Sequence, residues 1–94
     1  MKYPLEQIEL EIIDCIKKNI EESGDAVPEI TRGTGVLTGI PGFDSLRAIE
    51  VLIDLEEVFE CELPPEDVFN DGADNIGDLA KAVHSMLSRS DYER

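Results

Sequence analysis

Apolar residues in this chain recur every three or four positions and never alternate over a sustained run, so helices rather than strands are the elements open to it. From Pro4, the positions Leu5, Ile8, Ile12, Cys15 and Ile16 form one stripe, widened by Ile13 and Ile20, with Glu6, Glu9, Glu11, Lys17 and Lys18 assigned to the opposite face. Pro4 suits a first turn, where its missing N–H would lack a partner anyway, and Ser23-Gly24 supplies a stop. The spacing predicts a first helix over 4–22. Gly24, Pro28, Gly33, Gly35, Gly39, Pro41 and Gly42 then break any periodicity and predict a long loop over 23–43. Val27, Ile30, Val36, Leu37, Ile40 and Phe43 are its expected anchors, since a loop this long in a small domain is either pinned or functional. At Asp44, a favoured N-cap, helical spacing returns and predicts a second helix over 44–61, ended by Pro64-Pro65. Val51, Leu52, Leu55, Val58 and Phe59 form its inward stripe, while Leu46, Ile49 and Ile53 lie on an adjoining stripe that the inward face cannot fully cover. A short helix over 66–70 and a last one over 76–88 follow, the latter with Ile76, Leu79, Ala80, Val83 and Leu87 inward. Residues 89–94 are polar and expected to fray. The expected architecture is an all-α, four-helix bundle in a single domain over 1–94, with a long loop between helices 1 and 2 and a short third helix.

Charge and length narrow the function. With 22 acidic against 8 basic side chains the formal charge is −14, which repels phosphates and excludes nucleic-acid binding. Ninety-four residues, 41% of them apolar, support one modest core and leave no room for a multidomain enzyme. No apolar run approaches the roughly 20 residues of a membrane span, and Met1 to Glu11 carries acids where a signal peptide would be apolar. A cytoplasmic monomer without membrane insertion is expected. Cys15 and Cys61, far apart in sequence, read as small semi-buried apolar residues rather than metal ligands or a disulfide framework.

Most catalytic readings fail on spacing. Twelve acids between Asp44 and Asp78 are opposed only by Arg47, but paired-carboxylate catalysis needs a pocket that separates two pKa values, and a domain filled by its own core offers none. Asn70 to Asn75 lacks the alternating acids and closing Glu of an EF-hand, so no dedicated metal site is expected. Gly33-Thr34-Gly35 with Gly39 superficially resembles a phosphate-binding loop, yet no strand precedes it and the spacing is wrong. His84, the single histidine, has no nearby nucleophile for a triad. No catalytic residue is expected.

Gly42-Phe43-Asp44-Ser45-Leu46 stands apart, because it places a serine hydroxyl at the first turn of a helix after a glycine-rich approach. Asp44 or Ser45 could serve only as an N-cap there. The alternative is covalent attachment, since a phosphodiester on Ser45 would face the positive end of the helix dipole, worth about 0.3 to 1 kcal/mol when exposed.

At this point the chain resembles the acyl and peptidyl carrier proteins, in which the serine of an Asp-Ser-Leu motif carries 4′-phosphopantetheine. Asp44-Ser45-Leu46 is followed by Ile49-Glu50, by Leu55-Glu56-Glu57 with Phe59, and by Glu62-Leu63-Pro64, similar to the family's acidic second helix and its Pro ending. The resemblance runs from about Leu37 to Leu87. It implies that Ser45 holds a covalent 4′-phosphopantetheine arm whose thiol carries an acyl or aminoacyl group as a thioester, with Asp44 beside it. The implied partners are a phosphopantetheinyl transferase and acyl-loading and acyl-transfer or synthase enzymes with basic docking patches. Asp44, Glu50 and Glu57 would be read by those patches, and Leu46, Ile49 and Ile53 would make the apolar contact. Val51, Leu55, Phe59 and Leu63 would line the interior, where an attached chain would partly shelter; each is core in either case.

The chain also departs from the family. Arg47 stands where fatty-acid carriers usually present an acid, which adds it to the partner-facing positions and puts a cation in a first turn where the dipole disfavours it. The loop is long, Leu37 replaces a common aromatic, and Pro41 and Phe43 alter the approach to Ser45. These features weaken an assignment to housekeeping fatty-acid synthesis and suggest a specialised carrier from a secondary-metabolite, modified-lipid or aminoacyl-transfer pathway. Two other classes stay open: a carrier-like acidic adaptor that is never modified, and an acidic bundle of other ancestry.

Overall fold

The computed structural model of the chain describes residues 3–24, 26–36, 39–40, 43–69 and 75–92, with backbone alone for 89–92. Four helices appear in order: α1 (Leu5–Glu22), α2 (Ser45–Phe59), α3 (Pro65–Val68) and α4 (Ile76–Tyr92). Among the described residues there is no strand, only an isolated antiparallel bridge between Gly35 and Asn75. The all-helical expectation holds. Helix α1 lies at the centre, packed on α2 along one side and on α4 along the other, and α3 packs on α4.

The reason α1 is central lies in its isoleucines. Ile8, Ile12, Ile16 and Ile20 recur at four-residue steps and are all buried, each contributing about 1.5–3 kcal/mol relative to exposure. The helix ends where Gly24 adopts a left-handed φ of +83° and its N–H reaches the Glu21 carbonyl at 3.0 Å, a turn that glycine takes without a Cβ penalty. On α4, Ile76, Leu79, Ala80 and Val83 face the core as expected, with Leu87 partly buried.

Several expectations need correction. Glu9, expected on the solvent face of α1, is buried, with its Oε1 accepting from Arg32 Nη2 at 3.0 Å. Spaced four and seven residues before Ile13 and Ile16, Glu9 belongs to their face, and the loop brings a cation to it. Val58 is 39% exposed rather than inward, because the buried line of α2 runs Ala48, Val51, Leu52, Leu55 and Phe59. Helix α2 stops at Phe59, short of Cys61, since Glu60 turns left-handed and the Glu56 carboxylate takes the Leu63 N–H at 2.8 Å, folding the chain back before the prolines. Residues 89–92, expected to fray, continue α4 to Tyr92, there being no Gly or Pro after Ser88 to break it. The short helix is Pro65–Val68 rather than 66–70, starting on a proline whose fixed φ suits a first turn.

The long loop is anchored as its apolar residues suggested. Ile30, Val36, Ile40 and Phe43 are buried and Val27 partly so, whereas Leu37 lies outside the described residues.

Candidate functional site

The approach to Ser45 is fixed from both sides. Phe43 is buried and its N–H donates to the Ile40 carbonyl at 3.1 Å, which pins the incoming chain. Asp44 follows in an extended conformation with φ −109° and ψ −173°. Its carboxylate accepts the Arg47 N–H at 3.1 Å and its carbonyl accepts the Ala48 N–H at 3.0 Å, so it is the N-cap of α2. Ser45 is then the first helical residue, and it is exposed. The result is a hydroxyl held at the open, positive end of a fifteen-residue helix.

Below Ser45, Leu46, Ile49, Ile53 and Glu57 follow at steps of three, four and four residues and so share one face. Leu46 is 67% exposed, Ile53 54% and Ile49 37%, and Glu57 is exposed beside them. Leu46, Ile49 and Ile53 are thus three large apolar side chains left open to solvent beside an acid, a ridge that the packing of α2 does not cover. The surplus stripe read from the sequence is therefore real.

Two other expected partner-facing residues, Glu50 and Arg47, flank this ridge in sequence. Glu50 is exposed, yet its Oε1 accepts from Asn19 Nδ2 of α1 at 3.0 Å, so this acid also ties two helices together. Arg47 is half-buried, with its Nη1 out of solvent. The interior set of Val51, Leu55, Phe59 and Leu63 is buried throughout, with the Phe59 ring edge-on to Tyr3 at 4.7 Å.

Elsewhere the described residues offer little chemistry. Both cysteines are free: Cys15 is buried, and its thiol is pushed up to about 11, first by burial and then by the charges of Asp54 and Glu11. Cys61 is half-exposed in a shallow groove with Glu56, Glu60, Glu62 and Pro64. Among the described residues no cluster of His, Cys, Asp and Glu could hold a metal ion, and no helix is long and apolar enough to cross a membrane. Of the stretch Asn70 to Asn75, residues 70–74 lie outside the described ones. His84 is exposed on α4.

Residues 42–83 match the family model described as the phosphopantetheine attachment site, a stretch that spans the Ser45 approach, α2, α3 and the first half of α4. No solved structure matches the chain. The match identifies a region to which 4′-phosphopantetheine is attached covalently. Domains of this kind are generally non-catalytic carriers that meet a phosphopantetheinyl transferase and biosynthetic enzymes.

Proposed function

We propose, from the match of residues 42–83 to the phosphopantetheine attachment site, that the chain is a phosphopantetheine-bearing carrier protein and that Ser45 is the residue that takes the arm. The observation that carries this reading is one of elimination and place together. Ser45 is the only serine, threonine or tyrosine within the matched stretch, and it stands exposed on the first turn of α2. A phosphodiester there meets the favourable end of the helix dipole and no buried surface.

The arm's terminal thiol, once bound, holds an acyl or aminoacyl group as a thioester. The chain's own residues present it: Asp44 caps the helix that bears Ser45, and Leu46, Ile49, Ile53 and Glu57 seat the partner that reads it, Asp44 and Glu57 adding charge. Glu50, exposed although bonded to Asn19, and Arg47, with its guanidinium partly buried, complete the partner-facing set. Tethering raises the effective concentration of the carried group at each enzyme, so the role asks no catalytic group of this chain. The intermediates served are those of fatty-acid, modified-lipid or secondary-metabolite synthesis.

Incubation with coenzyme A and a broad-specificity phosphopantetheinyl transferase should add one phosphopantetheine by intact mass, and Ser45→Ala should stay unlabelled. Wild-type protein that remains unmodified across several transferases would instead support an acidic adaptor that binds partners through the α2 ridge alone.

A further inference from the structure

Helices α2 and α4 begin in different ways, and the difference falls where Ser45 stands. At α4 two carbonyls of the long loop, those of Thr34 and Arg32, accept the Ile76 and Gly77 N–H groups at 3.0 and 2.8 Å, and Asn75 Oδ1 accepts the Asp78 N–H at 2.8 Å. The opening amides of α4, which have no partner within their own helix, are thus held by a neighbouring segment as well as by a side chain. At α2 no such carbonyl reaches the Ser45 or Leu46 N–H among the described residues. The side-chain bond that closes its first turn is the one from the Arg47 N–H to the Asp44 carboxylate at 3.1 Å.

Nothing else in the first turn does the work of that bond. Three residues after the cap, where a glutamate would return a bond to the cap's own N–H, stands Arg47, whose side chain has no acceptor to offer. The first turn of α2 also holds no acid, so Asp44 supplies the negative charge at the positive end of the helix. Phe43, just before the cap, and Ala48, the fourth helical residue, occupy the two positions of a hydrophobic staple, and both are buried. Between these fixed points Asp44, Ser45 and Leu46 are exposed. The helical conformation of Ser45 therefore depends on a short span that the Asp44 side chain closes.

We infer that Asp44 is the positioning residue for loading: the acceptor oxygen it gives the Arg47 N–H, separately from its charge, holds Ser45 in the first turn of α2. The inference rests on Ser45 being the loaded residue. Helix ends open at little cost in free energy, so the bond that closes this turn sets how much of the time the Ser45 hydroxyl stands in its place relative to the α2 ridge. Ile49 and Ile53 lie one and two turns further on, where the helix is formed whether or not its first turn is. A transferase seated on them finds the hydroxyl in line only while the first turn is closed, and misplacement of a reacting group is costly to rate.

The test compares wild type with Asp44→Asn and Asp44→Ala. Both variants lack the charge, but asparagine keeps an oxygen for the Arg47 N–H and caps a helix as well as aspartate does, whereas alanine caps poorly. Loading with coenzyme A by a broad-specificity phosphopantetheinyl transferase should show KM raised in both variants, since a basic partner surface has one acid fewer to read. Asp44→Ala should in addition lose about fivefold in kcat, with amide exchange at Arg47 faster by about the same factor. Asp44→Asn should keep most of the wild-type kcat and the wild-type exchange at Arg47. Equal kcat in the two variants overturns the inference: with faster exchange in Asp44→Ala it makes the cap a matter of stability alone, and with equal exchange it makes Asp44 a charge and nothing more. So does an Asp44→Ala whose KM rises beyond that of Asp44→Asn at the same kcat, the mark of depleted folded carrier. Each of these results leaves the Ser45 reading standing, whereas wild type that never loads removes both.

Discussion

Cys15 shows how one side chain can report on the packing around it. Its thiol is enclosed between α1 and its neighbours, and burial, reinforced by Asp54 and Glu11, lifts its pKa from 9.0 to about 11. The thiolate is the reactive form, so at pH 8 an alkylating reagent should modify half-exposed Cys61 first and reach Cys15 only on unfolding. Linkage gives a second readout. The folded value lies above the unfolded one, so the contribution to stability is complete below pH 9 and fades as pH rises towards 11. Across that window wild type should lose up to about 2 kcal/mol more than Cys15→Ala in denaturant titrations. Equal alkylation of the two thiols in the native state would show that Cys15 is not enclosed. At this scale Asp44 and Ser45 were legible because a cap and a first-turn residue are local patterns. Glu9 was not, because its partner is 23 residues away on a loop without periodicity, and only its register with Ile13 and Ile16 hinted at burial.

Among the elements, α2 carries the functional reading, and its C-terminus is strained. Glu60 adopts φ 52° and ψ 48°, a left-handed conformation that costs a non-glycine residue about 1–2 kcal/mol. Glycine is the usual occupant of such a helix end. Glu60→Gly should therefore stabilise the protein by about 1 kcal/mol, raising Tm by about 4–8 °C in a domain of this size. Removing one acid from a crowded surface acts in the same direction, so Glu60→Gln serves as the control for charge alone. A glycine variant no more stable than the glutamine one would mean the turn is not strained. The same residue explains why the end of α2 is not legible in the sequence: without a glycine to mark the stop, the nearest visible breaker is Pro64. What ends the helix is the left-handed turn with the Glu56 carboxylate on Leu63, a side-chain contact that no propensity encodes. The exposed ridge, by contrast, was readable, since a helix with apolar residues on both its inward stripe and the stripe beside it cannot bury them all against α1.

For the whole molecule, charge sets two effects of opposite sign. A formal −14 on a body 40 × 23 × 22 Å across means that at about 10 mM salt, where the Debye length is about 30 Å, carboxylates repel one another across the entire width. At physiological salt that length falls to about 8 Å and only neighbours interact. Folding gathers these charges, so screening should stabilise the native state by about 1 kcal/mol and raise Tm by about 4–8 °C between the two conditions. The same screening weakens the attraction between the acids around the α2 ridge and a basic transferase surface, so kcat/KM for loading Ser45 should fall over that range through slower association. Stability and loading thus move in opposite directions along one salt series, which no general salt effect on folding would produce. Measuring both on a single preparation decides the matter. A Tm that ignores ionic strength would show the repulsion to be negligible, and a loading rate that rises with Tm would show that partners are held by the Leu46, Ile49 and Ile53 ridge with charge as a bystander.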